Sequence, residues 1–124
     1  MEKTYTKEEA QELWFQALES GEYKQGRNVL QNFGRYCCLG VACRVYEKYV
    51  LKPKGESLKI PNYRADLRSP FDVVRDWLGL YDWFGAPRNY TNNLNSCVVM
   101  NDDKKLSFPE IAKILRENRD AYFE

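Results

Sequence analysis

The sequence predicts an α+β fold in which a small antiparallel sheet of about three strands packs against about three to four helices. Two patterns support this prediction. Apolar residues recur three or four positions apart in several segments, and short apolar runs lie beside turn residues elsewhere. The chain of 124 residues, 44% of them hydrophobic, is long enough to bury one core. We therefore expect a single domain that spans residues 1–124.

Apolar spacing defines four helical segments, and capping or termination signals mark three of them. A capping box, a Ser or Thr followed three residues later by Glu, precedes the first and the last of them. Pro70 stands at the start of the third segment and Gly79 at its end, which are positions that these residues favour in helices. We expect helices within residues 6–21, 39–51, 70–79 and 107–115.

Short apolar runs indicate the strands of the sheet. Residues 28–31 and 35–38 flank the turn-forming residues 32–34, and this arrangement predicts a hairpin. The β-branched run SCVVM at 96–100 predicts a third strand. Residues 52–70 contain three prolines and a glycine without a clear period, which predicts a long loop.

The charge balance argues against some classes of partner. Nineteen basic and eighteen acidic side chains leave a formal net charge of +1, so the chain has no bulk attraction to nucleic acid or to an anionic membrane. The N-terminus is charged, and no stretch approaches the roughly 18 uninterrupted apolar residues of a membrane span. We expect a cytoplasmic protein with no nucleic-acid or membrane partner, whose cysteines stay reduced.

The residue types present argue against catalysis and metal binding. Histidine, the commonest general base and metal ligand, is absent, and the four cysteines do not have the spacing of a zinc site. The acidic pairs at 8–9 and 102–103 lie at a helix start and in a turn, where capping or solvation accounts for them. We expect no catalytic residue, metal or cofactor. The alternative is an enzyme with Cys37, Cys38 or Cys43 as nucleophile, which would lack a histidine base.

An aromatic and basic set offers the chemistry of a nucleotide pocket. Aromatic rings stack on bases, arginine grips phosphate through two hydrogen bonds, and asparagine amides pair with base or ribose edges. An equally weighted alternative is that the rings fill the core or a subunit interface while the arginines stay solvated. The candidate ligand-binding residues are Trp83, Phe84, Arg88, Asn92, Asn93, Arg64 and Arg68, accompanied by Arg75 and Tyr90.

Four sequence blocks together resemble a family of small phage-encoded anti-defence proteins. The blocks are LWFQALESGEYKQGRNVL, RYCCLGVAC, VRDWLGL and VVMNDDKKLSFPEIAKIL. They follow the pattern W-x₃-L-x-S-G-x-Y-x-Q-G, Y-C-C-L-G-V, W-L-G-L and N-D-x₄-S-F-x-E-I-A. The chain is thereby similar to the first type of Thoeris anti-defence protein, a sponge for the cyclic ADP-ribose isomers that bacterial TIR-domain enzymes make.

The resemblance implies a non-enzymatic trap for a cyclic nucleotide. Such sponges hold the signal uncleaved in pockets shared between subunits of a homo-oligomer, a dimer or larger, in the host cytoplasm, and some also bind cyclic oligonucleotides. They stack an aromatic ring on adenine beside an asparagine and arginines for phosphate. Trp83 or Phe84, with Asn92 or Asn93, are the matching residue types. A protein-binding inhibitor of a host defence effector is the alternative that the sequence leaves open.

Overall fold

The structure, a computed structural model, describes residues 4–32, 34–60, 68–88 and 94–124, and the side chains of residues 68–70 are not described. Within this part of the chain six helices and a small three-stranded sheet confirm the α+β prediction. The helices are α1 (Lys7–Glu19), α2 (Cys38–Tyr46), α3 (Arg68–Leu78), α4 (Cys97–Asp102), α5 (Phe108–Glu117) and α6 (Arg119–Tyr122). The strands are β1 (Lys24–Gln25), β2 (Gln31–Asn32) and β3 (Arg35–Tyr36). A π-helix at Glu47–Leu51 and a 3₁₀ turn at Lys52–Lys54 continue α2.

Both capping boxes form as predicted and start α1 and α5. The Thr6 hydroxyl accepts from the Glu9 backbone N–H, and the Glu9 carboxylate accepts from the Thr6 N–H. Ser107 and Glu110 make the same reciprocal pair. These bonds satisfy backbone donors that a helix N-terminus otherwise leaves without partners. The two helices pack against each other through buried residues at helical spacing, which are Ala10, Trp14, Phe15 and Leu18 on α1 and Ile111, Ala112 and Leu115 on α5.

Ion pairs join the solvent-facing sides of α1 and α5. Arg116 Nη1 lies 2.7 Å from Glu12 Oε2, and Arg116 Nη2 lies 2.7 Å from Glu19 Oε1. The guanidinium carbon of Arg116 lies 5.1 Å from the centroid of the Phe15 ring. The hydrogen bond from Arg116 lowers the pKa of Glu12, against the opposing effect of burial. One arginine thus ties two acidic residues of α1 to α5.

Replacing Arg116 with methionine is expected to lower the free energy of unfolding by about 1 kcal/mol at neutral pH, because the paired groups are about one-third exposed. The folded-state pKa of Glu12 is lowered, so the stabilisation is present above its unfolded pKa of about 4.3 and disappears as pH falls through the folded value. Urea unfolding of both proteins across the acid range measures how the difference between their free energies of unfolding shrinks as the pH falls. Lys113→Met, an exposed change on the same helix, is the control. A stability difference that persists undiminished at low pH would contradict the ionic role.

The sheet is mixed, whereas the sequence predicted an antiparallel one. The central strand β3 pairs antiparallel with β2 and parallel with β1. The predicted hairpin is confirmed, but its first strand lies at 31–32, because Asn28 has a left-handed φ of 66° that strands do not adopt. Phe33 of the predicted turn lies outside the described residues. Strand β1 has only two residues, too few to show the alternation by which a strand is recognised in sequence.

The strand predicted at residues 96–100 is wrong, because this segment forms α4. The Ser96 hydroxyl caps the helix by accepting from the Val99 N–H at 3.1 Å. Cys97, Met100 and Asn101 are buried, with the spacing of one helical face. The cap and this burial override the β propensity of the two valines in the segment.

A buried cluster of polar groups links α4 to β1 and to the segment that follows β1. The fully buried Asn101 donates through Nδ2 to the Gly26 carbonyl at 2.9 Å and accepts through Oδ1 from Gln25 Nε2 at 2.8 Å. Asp102 accepts from the Asn28 backbone N–H at 2.9 Å, which holds Asn28 in its left-handed conformation. The turn predicted for Asp102, with a solvated or capping carboxylate, is therefore wrong: the residue ends α4, is 7% exposed and accepts from Asn28.

The cysteine-rich block forms the junction between β3 and α2, as predicted. Cys37 is the N-cap of α2, and its Sγ accepts from the Gly40 N–H at 3.4 Å. Trp14 Nε1 donates to the Cys38 carbonyl at 3.0 Å, which docks α1 on this junction. All four cysteines are free and buried, in agreement with the expected core packing. A side chain at Gly40 would overlap the Leu30 carbonyl oxygen, so the junction requires glycine.

Helix α3 starts at Arg68, two residues before the predicted position at Pro70, and ends at Leu78 as expected. Gly79 follows with a φ of 77°, the left-handed conformation that commonly ends helices. The predicted loop at 52–70 is shorter than expected, because its first residues form the 3₁₀ turn and its last ones begin α3; residues 61–67 lie outside the description. No helix in the described ranges is both long enough and apolar enough to cross a membrane.

Candidate functional site

Residues 81–88, named here the aromatic turn, follow α3 and hold three of the predicted ligand-binding residues. Asp82 organises this segment: its Oδ2 accepts from the Phe84 N–H at 2.8 Å and from the Ala86 N–H at 3.3 Å. The Gly85 N–H donates to the Asp82 carbonyl at 3.1 Å. A side chain that accepts from backbone donors two and four residues later forms a local turn. The aromatic turn is therefore held by its own hydrogen bonds.

Contacts with α4 and the C-terminal segment fix the aromatic turn on the body of the protein. The Cys97 N–H donates to the Gly85 carbonyl at 3.0 Å, and the Val98 N–H donates to the Phe84 carbonyl at 3.2 Å. At its start, the Tyr81 N–H donates to the Tyr122 carbonyl at 3.0 Å. Gly85 has a φ of 67°, and a Cβ there would overlap the Cys97 side chain. The turn thus packs closely against the start of α4.

Two rings of the aromatic turn are exposed. Tyr81 is 49% exposed and Phe84 is 54% exposed, although both are large apolar side chains. Trp83 is half-buried, and the guanidinium carbon of Arg75 lies 5.7 Å from its ring centroid. Covering an exposed ring with a flat ligand removes apolar surface from water, which favours binding. The exposed rings make this turn a candidate binding surface.

Two guanidinium groups lie beside these rings. The carbon of the Arg88 guanidinium lies 5.3 Å from the Tyr81 ring centroid, and Arg88 Nη2 donates to the Phe123 carbonyl at 3.2 Å. Within the described part of the chain, the Nε atoms of Arg75 and Arg88 are buried without a hydrogen-bond partner. Both arginines stack on rings, and because their Nε atoms are buried, donation to a ligand falls to the terminal Nη groups. Such groups can hold an anion close to the rings.

The structure brings together some of the predicted site residues. Trp83, Phe84 and Arg88 lie in the aromatic turn, whereas Arg64, Asn92 and Asn93 lie outside the described residues. Arg68 opens α3, and its side chain is outside the description. The candidate set did not include Tyr81 or Asp82. An Asp two residues before Phe and three before Gly is a turn signal that could have identified Asp82 from the sequence.

Asp82→Ala is expected to lower the free energy of unfolding by about 1 kcal/mol, because two backbone donors lose their acceptor. Asp82→Asn keeps an oxygen acceptor and is expected to cost less. Urea unfolding gives the stability, and amide hydrogen exchange at Phe84 and Ala86 reports the turn directly. Asp72→Ala, an exposed change on α3, is the control. Unchanged exchange at both amides in Asp82→Ala would show that Asp82 does not hold the turn.

The buried thiols are poorly suited to act as nucleophiles. Burial raises the pKa of Cys37 to about 12 and strongly raises that of Cys43. A hydrogen bond with the Cys97 side chain, together with burial, raises the pKa of Cys38. These thiols stay protonated at neutral pH, which disfavours the alternative of a cysteine nucleophile. In the ranges that the structure describes, no three His, Cys, Asp or Glu side chains come together in a way that could hold a metal ion.

The blocks that carry the family resemblance meet one another inside the fold. Gln25 and Asn101, from the first and last blocks, are hydrogen-bonded, and Trp14 of the first block donates to Cys38 of the second. Gln11, two residues before the first block, donates through Nε2 to the Leu78 carbonyl in the W-L-G-L block at 2.9 Å. No residue of the aromatic turn belongs to these blocks. The blocks therefore form the scaffold of the fold. Whether the aromatic turn binds a ligand does not follow from them.

Comparison with known proteins shows the family of the chain. No curated protein matches the chain, and no solved structure does. One family matches over residues 6–119, from the N-cap of α1 to the first residue of α6, and so includes both the scaffold and the aromatic turn. The chain belongs to this family, which is described as a domain of unknown function, DUF8296.

Proposed function

We propose that the protein is a phage anti-defence sponge that sequesters a cyclic nucleotide immune signal without cleaving it. The ligand would be a cyclic ADP-ribose isomer or a cyclic oligonucleotide, and its capture in the host cytoplasm would block Thoeris-type defence. The observation that carries the proposal is the aromatic turn: its exposed Tyr81 ring lies beside the Arg88 guanidinium, its half-buried Trp83 ring lies beside that of Arg75, and Phe84 is a second exposed ring. The resemblance in the four sequence blocks adds support.

The base and the phosphate of a nucleotide each have a suitable counterpart at the aromatic turn. A base can stack on the exposed ring of Phe84, an interaction worth about 1–3 kcal/mol per base. Arg88 retains donors besides the Nη2 hydrogen that it gives to the Phe123 carbonyl, and these can reach a phosphate oxygen. Because the turn is held by Asp82, little backbone freedom would be lost on binding.

A second subunit would complete this site. Small-molecule sites cover most of the ligand surface, whereas exposed rings such as Tyr81 and Phe84 cover one face of a ligand. A neighbouring copy that packs on these rings would supply the other wall, and it would bury apolar surface as well. The proposed assembly is therefore a homo-oligomer whose pockets lie between subunits.

Calorimetric titration with cyclic ADP-ribose isomers and cyclic dinucleotides tests the proposal. We expect saturable binding of at least one of them, and recovery of unchanged ligand after the protein is heat-denatured and the supernatant is analysed by mass spectrometry. Recovery of a chemically altered ligand would identify an enzyme instead. Absence of binding across the panel would contradict the sponge proposal.

The second candidate is a protein-binding inhibitor of a host defence effector. It is favoured by the large exposed apolar side chains, Val73, Tyr81 and Phe84, since aromatic residues are enriched at protein interfaces. Affinity purification from host lysate, followed by reconstitution with the purified partner, distinguishes the two functions. A partner that binds the wild type stoichiometrically but does not bind the Phe84→Ala variant would support the inhibitor. The protein must also bind no cyclic nucleotide.

A further inference from the structure

A second candidate site lies between α1 and the π-helix and shares no residue with the aromatic turn. It is a cleft of about 150 Å³ with an apolar floor and two aromatic walls. Its lining includes the apolar side chains of Leu13, Ala17 and Val45, here called the floor, and the rings of Tyr23 and Tyr49, here called the walls. An apolar cavity of about this volume accommodates one benzene-sized ring. The cleft therefore has room for a single aromatic or branched aliphatic group.

The walls of the cleft are held in place by other rings. Tyr23 packs edge-on against Tyr36, with ring centroids 5.7 Å apart. Tyr49 packs edge-on against Tyr5 at 6.1 Å. These contacts limit the side-chain motion that would otherwise be lost on binding. The cleft is thus largely preformed.

The rim of the cleft carries one positive and one negative charge. Lys48 Nζ lies 3.9 Å from Glu22 Oε1, and the two side chains are 49% and 57% exposed. A pair at this distance and exposure contributes little to stability, so it opens at small cost. Of the other polar lining residues, Ser20 donates to the Ala17 carbonyl at 2.8 Å and Gln16 donates to Glu12 at 3.4 Å. Lys48 and Glu22 are the charged groups that a ligand would meet.

The π-helix positions one charge and one wall of the cleft. Lys48 and Tyr49 are its second and third residues, and both line the cleft. π-helical turns are rare and occur frequently at functional sites. Lys48 Nζ lies 5.4 Å from the Tyr49 ring centroid, so the positive charge is held beside the aromatic wall. The π-helix thus supplies both a charged group and an aromatic ring, Lys48 and Tyr49, to the cleft.

We propose that this cleft binds a free aromatic amino acid. Its ring would enter between Tyr23 and Tyr49, its carboxylate would meet Lys48, and its ammonium group would meet Glu22. A zwitterion fits this rim because it replaces one loose ion pair with two, whereas a ligand of one charge would leave Lys48 or Glu22 without a partner.

Titration of the isotope-labelled full chain with L-phenylalanine, followed by amide NMR, tests the proposal. We expect saturable shifts at the amides of Ala17, Tyr23, Lys48 and Tyr49. Phenethylamine lacks the carboxylate and 3-phenylpropionate lacks the ammonium group, so each is expected to bind about two- to fivefold more weakly. Absence of shifts with L-phenylalanine, shifts confined to the aromatic turn, or equal affinity for all three compounds would overturn the proposal.

Two variants locate the contacts in the cleft. Lys48→Gln is expected to lower the affinity for L-phenylalanine about two- to fivefold and to raise that for phenethylamine, whose ammonium group no longer competes with Lys48 for Glu22. Lys113→Gln, an exposed change of the same charge on α5, is the control. Ala17→Leu fills the floor and is expected to abolish binding, with folding checked by circular dichroism. Unchanged binding in folded Ala17→Leu would overturn the assignment to this cleft.

Discussion

Gly40→Ala is expected to destabilise the protein by about 3 kcal/mol or more, the largest effect that we predict for a single methyl group. A Cβ at this position would overlap the Leu30 carbonyl oxygen and would come within 3.1 Å of the Leu30 carbonyl carbon. These are backbone atoms, and the same carbonyl accepts from the Cys37 N–H at 3.1 Å. The junction between β3 and α2 must therefore shift to admit a methyl group.

Urea unfolding, followed by the fluorescence of the three tryptophans, measures this effect. Alanine is preferred over glycine inside a helix by about 1 kcal/mol, so the clash must exceed this gain before any loss is seen. Gly21→Ala is the matched control: it has a φ of 76° and open space around its Cβ, so only a backbone cost of about 1–2 kcal/mol is expected. A Gly40→Ala protein as stable as the wild type would contradict the close approach.

Phe84→Ala is expected to weaken cyclic nucleotide binding about 5- to 150-fold, the loss that corresponds to about 1–3 kcal/mol of base stacking. The ring is 54% exposed, so its removal is expected to change the free energy of unfolding by no more than about 0.5 kcal/mol. Binding and stability should therefore separate in this variant. This separation is what distinguishes a ligand-contacting ring from a core ring.

The affinity of Phe84→Ala is measured by calorimetry with whichever cyclic nucleotide the wild type binds, and stability is measured in urea. Val73→Ala is the matched control, since Val73 is 48% exposed and lies on α3 outside the aromatic turn. Equal losses of affinity in Phe84→Ala and Val73→Ala would place the ligand elsewhere. A large loss of stability in Phe84→Ala would instead assign the ring to the scaffold.

The candidate site was predictable in its residue types but not in its geometry. The three rings and one arginine of residues 81–88 are visible in the sequence, and the structure leaves Tyr81 and Phe84 exposed. Arg88 stacks on Tyr81 and donates to the Phe123 carbonyl. The sequence spacing could not predict the second contact, because Phe123 lies 35 residues away. The cleft between α1 and the π-helix is formed by segments that carry no recognisable motif for it.

Local signals determined the helix starts. Capping boxes and apolar spacing act within a few residues, so the sequence by itself placed the beginnings of α1 and α5 and the end of α3 at Leu78. The absence of histidine and the clustered cysteines likewise pointed to core packing, and the four buried thiols agree with this prediction. These features depend on side chains that are close together in the chain.

Only the tertiary structure determined how the strands of the sheet pair and that α4 is a helix. The parallel pairing of β1 with β3 and the helical state of residues 97–102 depend on contacts with distant segments, such as the bond between Gln25 and Asn101. A two-residue strand shows no alternation, and the Ser96 cap is too weak a signal to outweigh the β propensity of the valines in the sequence. Contacts with partners about 75 residues away decide both elements. Burial of polar groups such as Asp102 is possible only when those partners satisfy their hydrogen bonds.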